Sequence, residues 1–396
     1  MNSSPSAGAG TSHHSRRFAL IGGVMIGLAA VLWLAAATLV AYRLKYPGFL
    51  EDGRTDVYGP ATPADIAAIP PDPQKAFGAD FESVKIHLGR GRSVDGWMIP
   101  GKLPAAILLV PPAGGTRRTM LPYAKFLHAA GYSILAIDSG DNPQTGTTWG
   151  WNERTAVLSA ASELRRRGFK KIGALGVSEG AAEIILVQAA GASLDAIVAD
   201  SPYASLAGMF QRVPSIAGLN PALQQTALWE AGFFLGHSIW KVDPAKAARD
   251  LGPAGILVIH NQGDRIVPTS DAEAISTAAG NRGDLWIVPG DGHGDAIFEA
   301  PAEYAARVIK FLEQNLLAPS SSGPRNTASM SPSAAACAPR RAKLSFQRSF
   351  PDGQVSSLAP AAKRHRSRKT SAGNEVATVL LPAMPVAMTA LHARRV

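Results

Sequence analysis

From residue 105 onward the chain alternates short, largely apolar runs with helical patterns, and few architectures accept that alternation. The runs fall at residues 105–110, 132–138, 171–175, 196–200, 256–260 and 285–288, and the helical patterns between them at 120–130, 153–167, 180–191 and 270–279. A strand that is apolar on both sides must be covered on both faces, which is the signature of a parallel sheet between two helical layers. Two earlier runs, 84–88 and 96–99, add a pair of strands ahead of the alternating units. The expected fold is therefore α/β, with a mostly parallel eight-stranded sheet and helices on both faces. Between Ala204 and Trp240 the rhythm breaks, and a stretch rich in Leu, Phe, Trp and Gly predicts a small helical cap at about 204–240. A final helix at 302–317 closes the domain.

The ends of the chain have a different character. Residues 18–42 form a 25-residue run without a charge, flanked by Arg16 and Arg17 before and by Arg43 and Lys45 after. As a helix this run is ~37 Å long, more than the ~30 Å hydrocarbon core of a bilayer requires. A cleaved signal peptide would have an apolar region of only ~7–15 residues, so a retained single-pass anchor is expected despite the small residues Ala35, Ala36 and Ala37. Flanking positive charge barely distinguishes the two orientations, and the α/β domain is expected on the extracytoplasmic side. The resulting organisation is a disordered N-terminus (1–17), the anchor (18–42), a linker (43–80) that is Pro-rich from Tyr58 to Pro73, the α/β domain (81–317) and a basic low-complexity tail (318–396).

Charge follows the same division. The formal net charge is +9, but the tail holds twelve Lys or Arg against Asp352 and Glu375, leaving −1 for residues 1–317. A nucleic-acid partner would have to be bound by the tail alone and is not expected. Cys337 is the only cysteine, which rules out an intramolecular disulfide and a thiolate metal site.

The pentapeptide Gly176-Val177-Ser178-Glu179-Gly180 lies between an apolar run and a helical pattern. Strand, tight turn and helix in that order are the setting of a nucleophile elbow, in which a strained serine faces a helix N-terminus. A serine hydroxyl needs a base, and the base needs an orienting acid. Asp264 follows 86 residues later, just past the run 256–260, and His293 a further 29 residues on in Gly290-Asp291-Gly292-His293-Gly294. Both therefore sit on loops at the carboxyl ends of strands, where open α/β sheets place their sites. Competing assignments are weaker. His260 ends a strand and suits a structural role, Asp291 and Asp295 do not follow the preceding strand, and Thr269 or Ser270 is better placed than Asp264 to cap the next helix. For the oxyanion, Glu179 would give one backbone N–H. Pro111 and Pro112 have none, so Ala113 would give the other.

Residues 84–317 resemble the α/β-hydrolase superfamily, in particular its serine esterases and peptidase-like hydrolases. The resemblance is carried by the elbow, by His260-Asn261-Gln262-Gly263-Asp264-Arg265-Ile266-Val267-Pro268, by Gly292-His293-Gly294, by Asp200-Ser201-Pro202-Tyr203 and by Gly150-Trp151-Asn152-Glu153. Two departures stand out: Pro111-Pro112 where the family usually has His-Gly, and Asn261 in place of a glycine. The first bears on oxyanion geometry and substrate preference. Ser178 at the elbow, rather than Asp or Cys, points away from epoxide hydrolases, dehalogenases and dienelactone hydrolases.

The resemblance implies a serine hydrolase acting on a carboxylic ester or related acyl bond, with Ser178, Asp264 and His293 as triad and no metal or organic cofactor. A peptidase of the same fold and a catalytically silent binding protein are the alternatives. The substrate would be a small-molecule or lipid-like acyl compound, and the aromatic residues Phe210, Trp229, Phe233, Phe234 and Trp240 could line an acyl pocket or be plain core. Oligomeric state is left open.

Overall fold

The structure, a computed structural model, describes residues 11–47, 69–141 and 145–317. Residues 1–10, the linker between 48 and 68 and the whole tail from 318 lie outside the described residues.

Helix α1 spans Thr11–Lys45. It thus contains the expected anchor but begins within the segment read as disordered and ends within the segment read as linker. No proline interrupts residues 11–45, and Arg43 and Lys45 in the last turn complement the negative end of the helix dipole. The linker reading is also corrected at Pro73–Phe77, a short helix whose Asp72 side chain accepts from the Lys75 N–H at 2.8 Å. Gly78, at φ 74°, ends it in the left-handed region that glycine adopts without strain.

Eight strands follow: β1 (Glu82–Gly89), β2 (Arg92–Ile99), β3 (Ala105–Val110), β4 (Ser133–Ile137), β5 (Lys171–Val177), β6 (Ala196–Asp200), β7 (Gly255–Asn261) and β8 (Gly283–Val288). They form one sheet in the order β1-β2-β4-β3-β5-β6-β7-β8. β2 runs antiparallel to both β1 and β4, and all pairs from β4 to β8 are parallel. β2 starts four residues earlier than the apolar pattern at 96–99 indicates, because pairing with β1 recruits the polar Arg92–Asp95 stretch as a hairpin. Hydropathy is silent where an antiparallel strand faces water on one side.

The longer helices are α2 (Leu121–Ala129), α3 (Arg154–Arg166), α4 (Glu179–Ala189), α5 (Leu206–Arg212), α6 (Pro221–Leu235), α7 (Thr269–Ala279) and α8 (Pro301–Leu316). Side chains of β3 divide between two cores by strict alternation. Ile107 and Leu109 pack with Tyr123, Leu127, Tyr304 and Leu312, whereas Leu108 and Val110 pack with Val157, Leu164, Ile184 and Ile275. Each such buried side chain contributes ~1.5–3 kcal/mol, so the sheet is clamped from both faces.

A third cluster lies over the carboxyl end of the sheet. It joins Phe210 of α5 and Leu228 and Leu235 of α6 to Ala182 and Leu186 of α4 and to Ala41 and Leu44 of α1. The end of α1 is therefore part of the folded domain.

Candidate active site

β5 delivers Ser178 to the sheet's carboxyl edge and α4 begins at the next residue. Ser178 has φ 53° and ψ −115°, a conformation that costs an L-residue energy and that the surrounding chain must enforce. Its N–H donates to Asp200 O at 2.8 Å, fixing the turn to β6. The flanking glycines are dictated by contact. A Cβ on Gly176 would collide with the backbone of Gly180, and one on Gly180 would lie 2.6 Å from Val110 O and closer still to Pro111 O. The loop after β3 is thereby pressed against the elbow.

The histidine and acid converge on this serine. His293 Nε2 is 2.8 Å from Ser178 Oγ, and His293 Nδ1 is 2.6 Å from Asp264 Oδ2. Asp264 Oδ1 accepts from the N–H groups of Ile266 at 2.8 Å and Val267 at 2.9 Å, which hold the carboxylate in its orientation. Burial alone would raise the Asp264 pKa, but hydrogen bonds from His260 and His293 outweigh it and hold the carboxyl well below its usual range. Asp264 does not cap α7, and neither do Thr269 or Ser270 by side chain. Pro268 occupies the cap position and Thr269 is already helical.

The competing side chains have other partners. His260 is fully buried, with Nε2 2.8 Å from Val267 O and 3.3 Å from Asp264 Oδ2. Burial pulls its pKa down, but the Asp264 and Val267 partners push it up further, for a net rise. Asp291 pairs with Arg265 at 3.5 Å on the surface. Asp295, pushed up by burial to about 6, forms no part of the hydrogen-bonded chain.

The loop after β3 is shaped by Gly115 N donating to Pro112 O at 2.8 Å and by Gly114 N donating to Asp141 Oδ2 at 2.7 Å. Among the backbone hydrogen bonds of the described residues, none uses the Ala113 N–H. The Glu179 N–H, in the first turn of α4, has no intrahelical acceptor. Both donors expected for an oxyanion are thus unspent and belong to segments in contact.

Two features escaped the sequence reading. Tyr304 donates to Asp200 Oδ2 at 2.8 Å, Ser201 donates to Asp200 Oδ1 at 3.0 Å, and Gly294 N donates to Ser201 Oγ at 3.1 Å. This relay ties the His293 loop to the end of β6. The second is a cluster of acids beneath the elbow, where Asp141, Glu153 and Glu179 bring carboxylate oxygens within 4.8 Å of one another and Glu183 adjoins them. Glu153 accepts from Thr148 and Gly150 N–H groups and from the Thr148 hydroxyl. Their spacing could accommodate a hard cation. Burial, then the neighbouring carboxylates, raise Glu179 and Glu183 well above the ordinary range, which favours their protonated forms. The signal was in α4 itself, where apolar residues on every side of Glu179 and Glu183 leave the two acids no route to water.

The aromatic residues of the cap divide. Phe210 is fully buried, whereas Trp229, Phe233 and Trp240 face outward.

An elbow serine after the fifth strand, an acid after the seventh and a histidine after the eighth, on a mostly parallel sheet with helices on both faces, specify one architecture. The chain has the α/β-hydrolase fold. No protein-family model matches its sequence, and no curated protein matches it either. Among solved α/β-hydrolase-like structures it is similar to an esterase from Pyrococcus furiosus, at 21% identity and TM-score 0.49, over 65% of this chain and 95% of that one. It is also similar to an acylaminoacyl peptidase from Pyrococcus horikoshii, at 16% identity and TM-score 0.46, over 60% of this chain but 42% of that longer one. A puromycin-hydrolyzing peptidase from Mycobacterium tuberculosis is matched at 14% identity and TM-score 0.49, over 61% and 40%.

Proposed function

We propose that this protein is a serine hydrolase that cleaves a carboxylic ester or related acyl bond through Ser178, His293 and Asp264. One observation carries the reading: the unbroken pair of hydrogen bonds, 2.8 Å and 2.6 Å, from a strained elbow serine through His293 to a buried carboxylate. In this mechanism His293 Nε2 takes the Ser178 proton as Oγ attacks the acyl carbon. Asp264 keeps the proton on Nδ1 and stabilises the imidazolium. The Ala113 and Glu179 N–H groups receive the developing oxyanion. His293 then protonates the leaving group, and water, activated by the same nitrogen, releases the acyl group from Ser178.

A fluorophosphonate probe tests this directly. Labelling of the wild-type chain that vanishes in Ser178→Ala supports it. A folded wild-type chain that resists labelling sinks it and favours a binding protein on the same scaffold. A panel of esters and amides of matched acyl chains then separates esterase from peptidase.

The second part of the proposal concerns α1. Its segment Arg17–Lys45 is long and apolar enough to cross a membrane. In the proposed arrangement it is a retained single-pass anchor with the catalytic domain on the extracytoplasmic side, which favours a lipid-like or small acyl substrate. Carbonate extraction and protease protection of sealed vesicles test retention and orientation.

A further inference from the structure

The anchor and the cap do not fit together as a helix in the bilayer with a domain hanging in water. Residues 18–32 of α1 are exposed throughout, whereas from Trp33 on the helix packs onto α6 and the domain, with Ala37 and Ala41 fully buried. The free part is 15 residues, or ~22 Å of helix, against a hydrocarbon core of ~30 Å. The remaining ~8 Å of bilayer must overlap the stretch where α6 is bound to α1, and ~5–10 Å is the depth to which interfacial helices sink.

α6 is composed for that position. It lies alongside α1 in the same direction, with Trp33 Nε1 donating to Thr226 Oγ1 at 3.2 Å, Thr38 Oγ1 to Glu230 Oε2 at 2.7 Å and Lys45 Nζ to Phe234 O at 2.7 Å. The N-terminal end of α6 therefore lies at the deeper level. Residues 213–229, leading into and forming that end, contain no charged side chain. The flanking charges are engaged: Glu230 by Thr38, and Arg212 by Asp271 at 2.6 Å. Asn220 caps Leu223 N at 3.0 Å, and Thr226 Oγ1 donates to Ala222 O at 2.9 Å.

Two faces of α6 have neighbours within the protein. Ala227, Leu228, Ala231 and Leu235 pack into the domain, and Thr226, Glu230 and Phe234 meet α1. The third face presents Trp229 and Phe233, 65% and 84% exposed, with Trp240 4.9 Å from the Trp229 ring centroid. Exposed aromatics one helical turn apart, with Arg43 and Lys241 exposed nearby, form the belt that settles at a lipid–water interface.

We propose that the cap is a membrane-embedded element: α6 and the segment before it sink beside α1 into the interfacial layer of one leaflet, with Trp229, Phe233 and Trp240 against lipid. This rests on α1 being a membrane span. Because α6 shares its apolar cluster with Ala182 and Leu186 of α4, the helix that begins beside Ser178, the lipid-facing cap is one packed layer from the elbow.

Spin labels on the full chain, reconstituted in phosphatidylcholine–phosphatidylglycerol vesicles, test the proposal. In a Cys337→Ala background, single labels are placed by Phe233→Cys, Ala222→Cys, Ile26→Cys on α1, and Leu158→Cys on an exposed position of α3. All four sites are exposed, so the labels displace no core side chain. Positions 222, 233 and 26 are expected to collide several-fold more with oxygen than with a water-soluble nickel chelate, relative to 158. If 26 is lipid-exposed while 222 and 233 match 158, the anchor stands and the embedded cap is wrong. If 26 also matches 158, both fail.

Discussion

His260 Nε2 lies 3.3 Å from Oδ2 of Asp264, the same oxygen that receives His293 Nδ1 at 2.6 Å. A second, fully buried imidazole thus stands behind the acid, bonded also to Val267 O. His260→Gln is expected to lower stability by about 1–3 kcal/mol, the cost of disturbing a buried polar partner. Chemical denaturation measures this. If His260 also positions Asp264, kcat falls further than KM rises. An unchanged kcat on a destabilised fold would reduce His260 to a structural residue.

Asp264 itself is held ionised by its partners. In Asp264→Asn the backbone N–H groups of Ile266 and Val267 still find an acceptor, but His293 loses the carboxylate that selects its tautomer. A drop of about 10⁴-fold in kcat is expected, with the fold retained. Because the folded-state pKa is depressed below the ordinary aspartate value, the wild-type acid contributes stability above that value and loses it as pH falls. Stability of wild type and variant should therefore converge in acid, a comparison urea titrations at several pH values make directly.

The extent to which these features were legible in the sequence follows from physics. Ser178, Asp264 and His293 could be selected because each lies in a short motif past an apolar strand, and the parallel core advertises its strands by hydropathy. The polar half of β2 could not be read, since residues 92–95 become strand only by pairing with β1. The carboxylate cluster was legible only in part: the burial of Glu179 and Glu183 follows from the apolar sequence of α4, but the approach of Asp141 and Glu153 from two other segments does not. Trp229 and Phe233 illustrate the opposite limit, because hydrophobicity alone does not say whether an aromatic side chain faces the core or outward.

The acid cluster makes stability depend on pH with the opposite sign to Asp264. Glu179 and Glu183 have folded-state pKa values raised above the ordinary glutamate value of 4.5, so the native state binds more protons than the unfolded chain above that pH. Their contribution is fully favourable below 4.5 and declines as pH rises toward the folded values. Glu179→Gln, which keeps the shape and cannot ionise, should flatten this decline and leave the protein more stable than wild type at alkaline pH. A variant with the wild-type slope would show that the cluster is not titrating as described.

Gly180 provides a test of the elbow's packing that touches neither nucleophile nor base. Its Cα passes so close to the end of β3 that an added Cβ would sit 2.6 Å from Val110 O and nearer to Pro111 O, both backbone atoms that no rotamer change can move. Relief requires the loop carrying Pro111, Pro112 and Ala113 to retreat from α4. Gly180→Ala is therefore expected to cost about 1–3 kcal/mol, as overpacking in a close-packed interior does. It should also slow acyl transfer, since the Ala113 N–H moves away from the Glu179 N–H, and losing one oxyanion donor typically costs ~10²–10³ in kcat. Gly191→Ala is the matched control. Gly191 has a positive φ, 93°, which Gly180 does not, and a Cβ there meets nothing within 4 Å. It should therefore destabilise through backbone strain alone, by about 1–2 kcal/mol, and leave kcat unchanged. Equal losses of kcat in the two variants would mean that general destabilisation, not displacement of the oxyanion loop, accounts for the effect at Gly180.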